Sequence, residues 1–400
     1  MTLVQNDVEV RDATRATYLA FIGSGFALAS WAARIPQIRD GLRLSPSQLG
    51  LVLLAIAGGS IVSLVLAGQI VTRFGSRRTV TAMAALLGVA LTGAALGYQI
   101  GVAPLVVALA LFGFANGAWD VAMNVQGTVV ERRLGHSIMP RFHAGYSMGT
   151  VGGALAGAGI VALHIPVALH LIVSALLSAA VVILAVRKFV PDNSADDRAE
   201  DSAVAVAGSS GLRRALATWS EPRTLLIGIF VLAFAFTEGA GIDWINVAVI
   251  DDYRAPATVG ALAFAVFMAA MTAGRWFGPG LLDRYGRVPV VRTLAAISLV
   301  GLALFVFGPN TGVAFAGAIL WGLGASLGFP VGMSAAADDP AKAPARVSVV
   351  ASIAYFAFLG GPPVIGFLAD SLTVVKALSA VAVLLLVALS VAGAIRPLQR

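Results

Sequence analysis

Apolar residues run through this chain in long blocks, separated by short polar and mostly basic punctuation. The blocks cover about 16–35, 46–71, 79–99, 102–130, 142–164, 167–187, 224–248, 257–282, 289–308, 311–336, 346–369 and 373–395. Each comes near or exceeds the roughly 20 residues that a helix needs to cross a bilayer core. At that depth no water meets the backbone, so a spanning segment must satisfy its own hydrogen bonds, as an α-helix does. The pattern predicts an all-α membrane protein with twelve transmembrane helices.

The punctuation repeats. Gly68-Gln69-Ile70-Val71-Thr72-Arg73-Phe74-Gly75-Ser76-Arg77-Arg78 closes the second block, and Gly280-Leu281-Leu282-Asp283-Arg284-Tyr285-Gly286-Arg287 closes the eighth, about 211 residues on. Trp31, Gln48-Leu49-Gly50 and Gly68 are echoed by Trp244, Thr258-Val259-Gly260 and Gly278 or Gly280. Two similar halves in one membrane chain point to a two-fold transporter. The only long polar stretch, 188–222, carries Asp196, Asp197, Glu200 and Asp201 and then small residues. Such a composition buries too little apolar surface to order itself fully. It divides the chain into six-helix bundles at 1–187 and 223–400, two pseudo-symmetric halves, with a short interfacial helix expected at 213–219.

Composition strengthens this picture. Hydrophobic residues make up 58% of the 400 and charged ones only 12%, against about 25% charged in soluble domains. The net charge of +7 follows topology. With the N-terminus inside, the outer segments hold only Arg34, Arg39, Arg43, Arg254 and Lys376, and the inner ones hold the other assigned basic residues. That bias places both termini in the cytoplasm and the chain in the cytoplasmic (inner) membrane. It accounts for the basic character without a nucleic-acid partner. There are no cysteines, which excludes disulfides and thiolate metal sites. No metal-ligand cluster, cofactor motif or nucleotide-binding glycine loop is present, so the energy source is a gradient. The first fifteen residues, with Asp7, Glu9 and Asp12, lack the basic start of a signal peptide, so the first block is read as a retained helix.

The glycine and arginine pattern after the second block resembles the loop motif of the major facilitator superfamily, and its second copy and the six-plus-six layout agree. Thr72 stands where that motif usually has Asp, while the second copy keeps Asp283. Trp31-Ala-Ala-Arg34-Ile-Pro36, Trp119-Asp120-Val-Ala-Met-Asn124-Val-Gln126, His143-Ala-x-x-Ser147-x-Gly149 and Glu238-x-x-x-x-Asp243-Trp244 resemble the MosC-like branch, close to fucose-permease-type carriers. The resemblance implies a small polar substrate, sugar-like or inositol-like.

Ionisable residues at membrane depth usually face the bundle interior and mark function. In the fourth block Asn116, Asp120 and Asn124 fall at i, i+4 and i+8, on one helix face. Trp119 and Met123 flank them. A carboxylate between two amides, beside an indole, suits a polyhydroxylated ligand, and Asp120 is also a candidate proton carrier. The competing reading is a polar seam between helices. The seventh block carries Glu238, Asp243 and Asn246, with Gly239 and Gly241 loosening the helix. Glu238 is the candidate site acid of the second half, with a static ion pair as the alternative. Arg34 and Asp243 form a candidate outer gate, matched on depth alone. Arg275 reads as a structural pair for an acid or as a substrate contact. His143, with Ser147 and Thr150, forms a small stripe that can titrate near neutral pH; His164 and His170 read as bystanders.

At the inner helix ends, Glu131 is the expected partner of Arg73 or Arg77, and Asp338 or Asp339 that of Arg284 or Arg287. These clusters, with Asp283, are a candidate cytoplasmic latch; the alternative is that the arginines only enforce topology. Glycines of the fifth block, and Gly360-Gly361-Pro362-Pro363 in the eleventh, suit sliding or hinged helices. The resulting expectation is a monomeric secondary transporter that moves a small polar molecule through lipid, coupled to protons. A drug exporter, and then a membrane sensor or enzyme, are the competing classes.

Overall fold

The computed structural model describes residues 2–136, 138–192, 218–339 and 342–398. All regular structure among them is helical: α1 (Thr2–Ala32), α2 (Ile35–Leu42), α3 (Pro46–Ile100), α4 (Val102–Leu134), α5 (Met139–Ala162), α6 (Val167–Ala185), α7 (Pro222–Asp251), α8 (Ala257–Tyr285), α9 (Arg287–Phe307), α10 (Thr311–Ala325), α11 (Gly328–Ala336), α12 (Ala343–Ser371), α13 (Val374–Ala377) and α14 (Ser379–Val391). Short 3₁₀ turns at Val186–Lys188 and Ala392–Ile395 close the sixth and last spans.

Ten helices are long and apolar enough to cross a membrane. One of them, α3, has 55 residues, or roughly 80 Å at the helical rise, far more than the bilayer core. It breaks at Gly75 (φ 79°, ψ 160°) and makes two spans. The glycine-rich α5, 24 residues long, completes twelve. Only a residue without a Cβ adopts the Gly75 backbone cheaply, which is why the motif places glycine there. Three details depart from the sequence reading. The first helix reaches back to Thr2. The tenth span is two helices, broken at Ser326 and Leu327. The eleventh, α12, continues through Pro362 and Pro363.

The chain clusters into two compact units, Met1–Leu44 with Val52–Ser202, and Ser45–Leu51 with Ala203–Arg400. In the first, α1 packs on α4, α5 and α6. The α1–α5 crossing is backbone on backbone: a side chain at Gly149 would strike the Ile22 carbonyl, and one at Gly25 the Tyr146 carbonyl. The close contact expected of this glycine-rich segment is present. In the second unit α7 packs on α12, again first helix against fifth, and also on α8, α11 and α14. Most of the expected linker, with Arg213 and Arg214 of its interfacial helix, lies outside the described residues.

Candidate functional site

In the first unit α4 brings Asn116, Asp120 and Asn124 to one half-buried face, as its periodicity requires. Asn124 Nδ2 donates to the Asp120 carbonyl at 2.8 Å and to Asp120 Oδ1 at 3.3 Å. Asn116 Oδ1 accepts from Ser24 Oγ of α1 at 3.1 Å. Among the described residues no cation pairs with Asp120. Trp119 and Met123 are fully buried, so neither offers an open surface beside the carboxyl.

Arg34 is 3% exposed. Its Nε donates to His170 Nδ1 at 2.9 Å and its Nη2 to the Ile165 carbonyl at 2.9 Å. Because Nδ1 accepts, His170 carries its proton on Nε2. His170 is therefore no bystander: it and a backbone carbonyl hold a buried guanidinium. Depth along a span does not say toward which neighbour a helix turns its side chains; within its own unit Arg34 turns to His170 and Ile165.

In the second unit Arg275 Nη2 bridges both oxygens of Glu238, at 2.8 and 2.7 Å. Arg275 Nε also donates to the Ser326 carbonyl at 3.3 Å, beside the break between α10 and α11. Gly274 makes this possible, since a side chain there would collide with Ser326. Glu238 and Arg275 keep 17% and 26% of their side-chain surface exposed, so the pair is reachable. Asp243 is half-buried, with no hydrogen-bond or ion-pair partner among the described residues. Asn246 is buried, packed where α8 passes at Gly260. His143 is exposed at the start of α5, 5.2 Å from the Phe21 ring.

The inner helix ends form two networks. In the second unit Asp338 accepts from Arg287 Nη1 at 2.7 Å and Arg223 Nη2 at 2.9 Å, and Arg287 Nη2 reaches Ser334 Oγ at 3.1 Å. Arg223 also donates to the carbonyls of Ala394 and Arg396. Asp339 lies 3.7 Å from Arg346. Glu221 accepts from Arg346 Nε at 2.7 Å and Thr224 Oγ1 at 2.9 Å. The Arg346 bond holds the Glu221 carboxyl down at about 2. Arg284 lies over the Tyr285 ring, and Asp283 is exposed.

The first unit is built differently. Glu131 accepts the N–H groups of Ile138 and Met139 at 2.7 and 2.8 Å, satisfying the start of α5. Arg73 lies over Phe74, and neither it nor Arg77 forms an ion pair among the described residues. The acid at the turn is Asp192, which the sequence reading missed. It accepts both the N–H and, at 2.6 Å, the Oγ of Ser76. Buried Gln126, with its amide oriented by the network, donates to Asp192 and to the Val190 carbonyl and accepts from the Val190 N–H. A lone Asp in a polar stretch gave no signal; the Ser after the motif glycine was the available clue. Among the described residues no His/Cys/Asp/Glu group could hold a metal ion.

Two repeats of six spans, each with ionisable groups at membrane depth, define a secondary transporter rather than an enzyme. The chain belongs to the Major Facilitator Superfamily, whose profile matches residues 17–345. It is 28% identical over 368 residues to the membrane protein MosC of Rhizobium meliloti, covering 91% of this chain and 85% of MosC. Among solved structures it is similar to the nucleoside transporter NupG, with a TM-score of 0.75 and 15% identity over 97% of this chain and 98% of that one. A D-xylose-proton symporter matches with a TM-score of 0.71 and 14% identity, over 96% and 97%. These structural likenesses share the twelve-helix fold.

Proposed function

We propose that this protein carries a small, neutral, polyhydroxylated solute across the cytoplasmic membrane by alternating access, coupled to protons, as a monomer with both termini in the cytoplasm. The observation that carries the reading is the half-buried Asp120, flanked by Asn116 and Asn124 and matched by no cation among the described residues. Amides and a carboxylate bind hydroxyls, and acids within membrane spans mark proton relays and substrate paths. In the second unit the Glu238 charge is already met by Arg275, so a neutral solute suits it better than an ion. The similarity to MosC, and the nucleoside and D-xylose named for the structural neighbours, favour the same class. The charge bias supports the orientation.

The test is uptake into proteoliposomes from a panel of sugars, inositols, nucleosides and lipophilic cations, with and without an imposed proton gradient. Gradient-driven accumulation of a polyol is expected. Transport confined to lipophilic cations, or none of the panel, would remove the reading.

A further inference from the structure

We infer that the second unit holds a binding site for the phosphate headgroup of an anionic phospholipid, at the start of α9. A cavity of about 400 Å³ opens there, lined by the turn Gly286–Pro289, by Arg292 and by Arg396 with Pro397. Three arginines meet in it and no acid lines it. Arg287 is matched by Asp338 at 2.7 Å. Arg292 and Arg396 are exposed and form no ion pair among the described residues.

The first unit contains a second copy of this arrangement. Gly75 has the backbone of Gly286, φ 79° against 80°, and a helix resumes at the next residue in both. In the first copy the start of that helix is met by a carboxylate, Asp192 on Ser76. Asp192 follows Pro191, just beyond the 3₁₀ turn Val186–Lys188. The second unit repeats this course: the 3₁₀ turn Ala392–Ile395, then Arg396, Pro397 and Leu398. The residue after the proline is thus Asp in one copy and Leu in the other. The second copy keeps the glycine turn, the helix start and the proline, lacks the carboxylate, and has arginine on the approaching segment.

Gly286 supplies no side-chain cap, and a helix start carries partial positive charge with N–H groups directed outward. The charge complement is an anion from outside the chain. The cavity lies at helix ends, where membrane helices meet water, and the residues next in sequence to its lining, Tyr285 and Leu398, have exposed apolar side chains. A phosphodiester with acyl chains fits both surfaces, and surface arginines attract anionic lipid.

The test is native mass spectrometry of the full chain with phosphatidylglycerol, with phosphatidylcholine as the neutral control and inorganic phosphate as competitor. Retention of phosphatidylglycerol over phosphatidylcholine is expected. The double variant Arg292→Ala/Arg396→Ala weakens it about 25-fold, roughly five-fold per arginine. Arg11→Ala/Arg15→Ala removes the same exposed charge from the first unit and leaves retention unchanged. Leu398→Asp, which restores the acid of the first copy, lowers retention and raises the melting temperature in phosphatidylcholine. Equal retention of the two lipids, equal loss in both double variants, or complete displacement by inorganic phosphate would overturn the assignment. Because the readout is bound lipid, it stands or falls separately from the transport reading.

Discussion

Gly75 and Gly286, 211 residues apart, adopt the same backbone, with φ and ψ of 79° and 160° in one and 80° and 165° in the other. This conformation lets one helix end and the next begin within a single residue, so each half reverses direction at the membrane surface without a loop. An L-side chain at either position is strained by about 1–3 kcal/mol. Gly286→Ala is therefore expected to lower the thermal stability of the purified protein, and Gly280→Ala, which meets open space, to leave it within about 0.5 kcal/mol. Equal melting temperatures for the two variants would contradict the account.

Arg275 and Glu238 neutralise one another in a partly buried site. Removing either alone strands the other, at a cost of about 1–3 kcal/mol. Glu238→Gln with Arg275→Gln is expected to recover most of the yield and stability that Arg275→Gln alone loses. Thermal unfolding of the two single variants and the double variant checks this; strictly additive losses would show that the two side chains act independently.

Asp120 holds the proposed proton site. Asp120→Asn is expected to abolish accumulation driven by a pH gradient while leaving counterflow exchange of the same solute measurable. Counterflow and gradient-driven uptake, compared in one proteoliposome preparation, separate coupling from binding. Gradient-driven accumulation at the wild-type rate would move the proton site elsewhere.

Glu221 titrates well below the usual carboxylate range because Arg346 donates to it. Its folded value, about 2, lies below the ordinary 4.5, so its stabilising contribution is complete above about pH 4.5 and is lost as the pH falls toward 2. Melting temperature measured between pH 6 and pH 3 is expected to fall less steeply for Glu221→Gln than for the unsubstituted chain. Parallel pH profiles would show that Glu221 contributes nothing in that window.

Twelve spans, two repeats and the glycine turns were legible without a structure, because a bilayer leaves the backbone no other way to satisfy its hydrogen bonds and because only glycine tolerates that turn. The shared face of Asn116, Asp120 and Asn124 was legible for a similar reason, since helical periodicity places i+4 neighbours together. Pairing across helices was legible only in part: Arg287 meets Asp338, as the inner helix ends suggested, but other pairs gave no signal. Arg34 meets His170, 136 residues away, and Ser76 meets Asp192, 116 residues away. Position along a span gives a residue's depth but leaves open the direction in which each helix faces. That direction follows from packing, such as the glycine contact of α1 on α5, so only the tertiary structure decided these two pairings.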